Sequence, residues 1–387
     1  MKPLGGVNLD NSKEIWTKAN RAVVITFAIA GAIFGSWASR IPSLKNQFGL
    51  EAVELGGVLL VLAMASVVSF PLSGRAIDRY GSASVTRYLT WATLISLILI
   101  SFASSVLVLT FCVAIFGASL GALDVSMNGW GAEVERQGSK SIISSLHAYW
   151  SLFAGIGGLI GFLAIQVNLT VIQHFLFVSG LTAPLALKAT RVGWIGSTVS
   201  EAKPMFAWPQ KNLLFVGLLM FGAALAEGAV ADWAAIFVTD RFNLTEAMAL
   251  GSFTTFSFAM FLGRMLADGL VDRYGAARVC GVGGWLATMG VSIILLSLDF
   301  NIVLVGFLLL GLGLAPVFPL GCARAANDPL VTPGQGLASV ATFGYGGFML
   351  GPAVIGLVTQ YTGILIGFGL ILICALYQLL FSWSLRR

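Results

Sequence analysis

Long apolar runs alternate with short polar ones along the whole chain. Runs close to membrane length recur twelve times, at about 21–39, 55–73, 88–104, 106–128, 142–165, 172–189, 212–237, 247–266, 276–298, 301–321, 337–358 and 364–383. About 20 apolar residues cross roughly 30 Å of hydrocarbon as a helix. A β-barrel would instead show alternating segments of about ten residues, and none appear. The pattern predicts an all-α integral membrane protein with twelve transmembrane helices in two six-helix bundles. Residues 1–20 form a polar N-terminal tail and 21–189 the first bundle. Residues 190–211, with Gly193, Gly196, Pro204 and Pro209, form a linker, and 212–387 the second bundle.

The polar breaks repeat. Asp78-Arg79-Tyr80-Gly81 returns as Asp272-Arg273-Tyr274-Gly275, 194 residues later in a chain of 387. The same gapless offset pairs Phe48 with Phe242, Gly57 with Gly251, Trp91 with Trp285, Gly117 with Gly311, Ser145 with Ser339 and Gly157 with Gly351. A register held this long marks a duplicated half-protein rather than a solenoid of 20–50-residue units. Duplicated halves are how many secondary transporters are built, with the solute site where the halves meet.

Composition agrees with a bilayer: 10% of residues are charged and 57% apolar, against about 25% and 45–50% in soluble domains. The net charge of +5 reports orientation rather than nucleic-acid binding. With the N-terminus placed inside, only Arg40, Lys45 and Arg241 of the 22 Lys and Arg fall outside, the positive-inside pattern. Both termini are then cytoplasmic. The first helix is too long for a signal-peptide core, and losing it would leave one half short, so it is read as retained. Asn168-Leu169-Thr170 and Asn243-Leu244-Thr245 match glycosylation sequons, but the outer loops are short, which favours a bacterial inner membrane. Cys112, Cys280, Cys322 and Cys374 sit in apolar segments without metal-ligand spacing, so neither disulfide nor metal is assigned. No phosphate loop or nucleophile triad appears, so neither an enzyme, an ATP-driven pump nor a cofactor is expected, and the chain is read as a monomer.

Helix 1 carries Gly31, Gly35 and Ser39 at spacing suited to close helix packing, then ends at Arg40 with Pro42 beyond. Helix 4 carries Gly117, Gly121, Asp124 and Asn128 on one stripe, and helix 5 has His147, Ser151, Ala154 and Gly158 likewise. A carboxylate inside a membrane helix costs about 2.5–3.5 kcal/mol on insertion scales and marks an ion or substrate path. Asp124 is therefore the first candidate for proton coupling; the alternative is a structural Asp bonded to a neighbouring helix or lying near the inner surface. Glu227, about 21 Å into helix 7, and His147 are the further proton candidates. Asp232 reads as an interfacial charge. Asn128, Trp150, Ser151, Trp233 and Tyr345 are candidates to line a solute cavity, the tryptophans either stacking on a sugar face or simply packing. Helix 11, with Phe343-Gly344-Tyr345-Gly346-Gly347 and Gly351-Pro352, is expected to bend or unwind.

Twelve helices, a long middle loop, and G-x-x-x-D-R-x-G after helix 2 with a partial copy after helix 8 resemble the major facilitator superfamily over essentially the whole chain. The resemblance implies that Gly74, Asp78, Arg79 and Gly81, with Asp272, Arg273 and Gly275, brace the cytoplasmic ends of the helices across the two halves. Asp268 replaces the second motif's first Gly, between Arg264 and Asp272, and the three are expected to form a local ion ladder. Gly121-Ala122-Leu123-Asp124 with Asn128, and Leu146-His147-Ala148-Tyr149-Trp150-Ser151, resemble the helix 4 and helix 5 segments of fucose-permease-like sugar porters. Their acidic residue late in helix 1 is absent, Arg40 being the nearest ionisable group. The expectation is a proton-coupled secondary transporter of a small polar solute, such as a sugar. A drug or metabolite exporter of the same superfamily, and a passive channel or non-transporting sensor on the same scaffold, are the alternatives.

Overall fold

The computed structural model describes residues 9–138, 142–192, 194, 213–330 and 333–386, and the side chains of some helical residues, Asp78 and Asp268 among them, lie outside that description. Most of the expected linker lies outside it as well. The first-half helices are α1 Leu9–Phe48, α2 Ala52–Tyr80, α3 Ser82–Ile100, α4 Val106–Gln137, α5 Ile143–Gln166 and α6 Val171–Thr190. The second half has α7 Leu214–Phe242, α8 Glu246–Tyr274, α9 Ala276–Leu296, α10 Phe300–Leu314, α11 Val317–Ala326, α12 Pro333–Thr362 and α13 Ile364–Phe381. Twelve spans result, α10 and α11 together making the tenth.

The helices stop and start on local chemistry. Asn168 and Asn243 take the left-handed conformation at φ 56° and 50°, which Asn tolerates better than most residues. Two residues on, Thr170 accepts from the Gln173 N–H and Thr245 from the Met248 N–H, each capping the next helix. The two sequons are thus turn signals: a left-handed stop followed by a Thr cap. The Asp-Arg-Tyr-Gly turns match as closely. Gly81 and Gly275 sit at φ 80°, ψ 147° and φ 82°, ψ 150°, a conformation for which glycine is suited.

The duplication is a packing rule as well as a sequence rule. α1 packs on α5, α2 on α4 and α3 on α4, and the same pairs recur as α7 with α12, α8 with α10 and α9 with α10. A Cβ on Gly117 would lie 2.2 Å from the Leu62 carbonyl oxygen; 194 residues on, a Cβ on Gly311 would lie 2.6 Å from that of Phe256. The halves meet through the symmetry-related pairs α5 with α8 and α2 with α12. Gly31 and Gly35 do serve close packing, since Cβ atoms there would lie 2.2 and 2.0 Å from the carbonyl oxygens of Trp150 and Ala154 on α5.

Three expectations are corrected. Residues 9–20 belong to α1 rather than to a tail, and Ala19 is fully buried. The helix also continues through Pro42 to Phe48; proline is tolerated in membrane helices where neighbours satisfy the freed backbone. Helix 11 is not unwound: α12 runs unbroken from Pro333 to Thr362, and Gly347 lets it approach α7, where a Cβ would lie 2.2 Å from the Phe221 carbonyl oxygen. The break falls in the tenth span instead, at Ala315-Pro316, because Pro316 has no N–H to continue the ladder.

Gly35→Leu is expected to destabilise the fold by more than the roughly 1–3 kcal/mol typical of an overpacked core, because backbone rather than a movable side chain blocks the added atoms. Gly57→Leu, where a Cβ meets nothing within 4 Å, should behave as wild type. Thermal unfolding of the purified variants in detergent compares the two.

Candidate functional site

The interface between the halves carries two polar clusters. The first lies where α5 meets α8. Arg264, only 8% exposed, donates from Nη2 to both Glu227 oxygens, at 3.3 Å to Oε1 and 3.2 Å to Oε2. Its Nη1 donates to Ser151 Oγ on the opposite half, and Ser151 donates in turn to the His147 carbonyl oxygen at 3.1 Å. Beside this cluster is a cavity of about 20 Å³, with Trp150, Ser151, Glu227, Phe34, Phe253 and Phe348 in its wall. That is room for about one water molecule, so a solute enters only if the halves separate. Trp150 packs on Phe34 with ring centres 5.2 Å apart.

The second cluster joins α4 to α12. Tyr345 donates across the halves to Asp124 Oδ2 at 3.1 Å, and Asn128 donates to Asp124 Oδ1 at 3.2 Å and to its carbonyl oxygen at 2.9 Å. Phe70 of α2 packs edge-on against the Tyr345 ring at 4.7 Å. Because α4 continues to Gln137, Asp124 lies about 20 Å from that helix end, well inside the bundle. The helix 4 stripe divides its labour. Gly117 and Gly121 face Leu62 and Ser66 of α2, whereas Asp124 meets Tyr345 of the other half. The helix 5 stripe serves a single face, with Ser151 on Arg264 and Gly158 against Phe253 and Thr254 of α8.

Other expected residues go elsewhere. Trp233 is fully buried where α7 approaches Gly356 of α12 and is absent from the cavity wall, so it packs. His147 lies between Phe27 at 5.5 Å and Phe318 of the second half at 6.4 Å. Among the described residues Arg264 bonds to Glu227 and Ser151; the Asp268 side chain of the expected ladder lies outside the described residues. Arg79 and Arg273 each lie over the adjacent Tyr80 or Tyr274 ring, at 5.2 and 5.3 Å. Gly74, Gly81, Asp272 and Gly275 lie at that same end, and the Asp78 side chain is outside the description. Arg40 donates to His174 Nδ1 at 3.1 Å and to the Leu169 carbonyl oxygen at 2.8 Å, which ties α1 to the α5–α6 turn within the first half.

Sequence reasoning missed two features. One is the inward turn of Arg264, for which only its position one turn from Met260 on an apolar helix face gave a signal. The other is a latch at the end opposite the Asp-Arg-Tyr-Gly turns. There Ser43 and Asn46 donate to Glu246 at 2.6 and 2.7 Å, and Gln360 donates to Glu51 at 3.2 Å.

No family model matches the chain. It is 34% identical over 346 residues to an uncharacterised transporter of Sinorhizobium fredii, covering 88% of this chain and 91% of that protein. It is 30% identical over 349 residues to an uncharacterised MFS-type transporter of Yersinia pestis, covering 89% and 90%. The chain belongs to the major facilitator superfamily. Another relative within reach of this superfamily member is the membrane protein MosC of Rhizobium meliloti, 30% identical over 386 residues and covering 96% and 92%. A mutant of the nucleoside transporter NupG has the same fold, with a TM-score of 0.69 at 15% identity, covering 96% of this chain and 98% of that one. This superfamily member is a multi-pass membrane transporter of a small-molecule solute.

Removing one partner of a buried ion pair costs about 3–5 kcal/mol, whereas removing both is far milder. Arg264→Met should therefore lower the stability of this transporter by that order, and Arg264→Met combined with Glu227→Gln should recover a large part of it. A double-mutant cycle on thermal unfolding measures the coupling.

Proposed function

We propose that the protein is a proton-coupled secondary transporter that moves a small polar, sugar-like solute by alternating access between its halves. The observation that carries this reading is the hydrogen bond from Tyr345 to Asp124 across the halves. A hydrogen bond to an ionised carboxylate is roughly twice as strong as one between neutral groups. Ionised Asp124 therefore holds α4 to α12 more firmly than protonated Asp124 does, and a proton shifts the balance between access states because it interacts differently with the two. Among the described residues, the groups hydrogen-bonded to Asp124 are Tyr345 from α12 and Asn128 from its own helix. Neither supplies a counter-charge that would hold the carboxylate ionised through the cycle. Glu227 already has Arg264 as a partner, which makes it the weaker carrier, and His147 a bystander to the proton step.

The charge distribution supports a bacterial inner membrane with the Asp-Arg-Tyr-Gly turns on the cytoplasmic side. The Glu246 and Glu51 contacts then seal the outer side. Trp150 and Ser151, beside the cavity, are the solute-binding candidates that this reading keeps.

Asp124→Asn fixes the charge at zero while retaining an acceptor for Tyr345. It should abolish accumulation driven by a pH step across proteoliposomes and preserve exchange of labelled solute at equal concentrations on both sides. Continued accumulation would make Asp124 structural. Separately, Glu246→Ala removes the acceptor shared by Ser43 and Asn46, and should raise the labelling of a cysteine placed at Asn46 by an impermeant thiol reagent several-fold. Unchanged labelling would mean that apolar packing alone seals that end.

A further inference from the structure

We propose that Arg264 is the anion-recognition residue of the solute site, and that the solute bears a single carboxylate on a hydroxylated, flat-faced body. This rests on the reading of the interface between the halves as the solute path. It narrows the sugar-like solute to a sugar acid.

Three observations lead there. First, Arg264 is more than nine-tenths buried, yet among the described residues its Nε has no hydrogen-bond partner. Second, Glu227 satisfies it poorly. Both carboxylate oxygens converge on the single nitrogen Nη2 at 3.2–3.3 Å. Strong Arg–carboxylate pairs are instead two parallel bonds of about 2.7–2.9 Å. The guanidinium thus keeps an unused donor for a second, better-matched carboxylate. Third, the cavity beside the pair is walled by Trp150, Phe34, Phe253 and Phe348, with Ser151 at its polar edge. Flat aromatic faces suit the C–H face of a sugar-like ring, and a hydroxyl suits its polar rim.

The charge count sets the class. Among the described residues the buried cations are Arg40 and Arg264, and Arg40 is committed to His174 and Leu169. One guanidinium compensates one negative charge, so a dianionic phosphate would leave a charge unmatched in the bundle centre. A monoanion takes over Arg264 from Glu227. Facing Glu227 are Arg264 from α8 and Ser151 from α5, with Phe34 of α1 and Phe348 of α12 otherwise around it.

The test pairs acids with neutral partners of the same skeleton: galacturonate with galactose, and gluconate with glucitol. Ligand binding to the folded state raises the unfolding temperature, so thermal unfolding of the purified full chain in detergent reports each Kd. In wild type, at least one acid should bind tenfold or more tighter than its neutral partner. Arg264→Gln should erase the preference and Arg264→Lys should keep part of it. If Arg264→Gln fails to fold, Glu227→Gln decides: with the competing carboxylate gone it should bind the acid at least as tightly as wild type, and weaker binding overturns the proposal. Equal affinity for acid and neutral partner, a preference that survives Arg264→Gln, or no stabilisation by either acid overturns the proposal. The measurement is made without a gradient, so failure of proton coupling at Asp124 would leave its outcome unchanged.

Discussion

A cation in the middle of an apolar bundle is the constraint on which much else here depends. Arg264 does not face lipid, where a charge on a membrane helix is costly, and it is only 8% exposed. It finds its partners inward, in Glu227 on α7 and Ser151 on α5. Those partners belong to different halves, so the requirement to pair one guanidinium also draws α8 against α5. The neighbouring wall then closes to about 20 Å³. Charge satisfaction and closure of the interface are in this sense one event. An interaction that substitutes for Glu227 or Ser151 would act on both.

Around that point the architecture is a duplicated packing scheme. The glycines that let helices touch recur with the 194-residue register down to the carbonyl they approach, Leu62 for Gly117 and Phe256 for Gly311. Each half is thereby a tightly locked unit, with backbone against backbone and little freedom to deform. Between halves, backbone also approaches backbone where Gly356 of α12 meets Ala52 and Gly56 of α2, and elsewhere the contacts differ in kind. They are a handful of polar pairs, Tyr345 with Asp124, Arg264 with Ser151, and Glu246 with Ser43 and Asn46, laid over side-chain packing. Rigid halves joined by exchangeable bonds are what a rocking mechanism requires, since interfaces with a few alternative partners can be bistable whereas close-packed interiors resist deformation.

Much of this was legible from the chain alone. The apolar runs gave twelve spans because hydrocarbon thickness sets helix length, and the gapless offset gave two equivalent halves because a duplicated pattern of glycines and turns packs the same way twice. Spacing also identified the stripes bearing Asp124, Asn128 and Ser151, and Tyr345 stood out as a polar group beside small residues. Errors came where a local rule met a tertiary exception. The glycines of helix 11 looked like a hinge, yet α7 fills the space they leave. Pro42 looked like a terminus, but neighbouring helices hold α1 past it. Pro316, which drew no attention beside the glycine-rich segment, is where a helix actually breaks.

Membrane residence, helix number and the internal repeat followed from composition and period, because the energy of each residue in lipid is nearly independent of its neighbours. The partners of charged and polar side chains did not follow, because a helix period gives an azimuth on one helix and not the identity of the helix across from it. Arg264 illustrates the difference. Its sequence neighbours Asp268 and Asp272 offered a plausible ladder one turn away. The partners it takes are Glu227, 37 positions earlier, and Ser151, 113 positions earlier. Only the fold brings those groups within reach of one guanidinium.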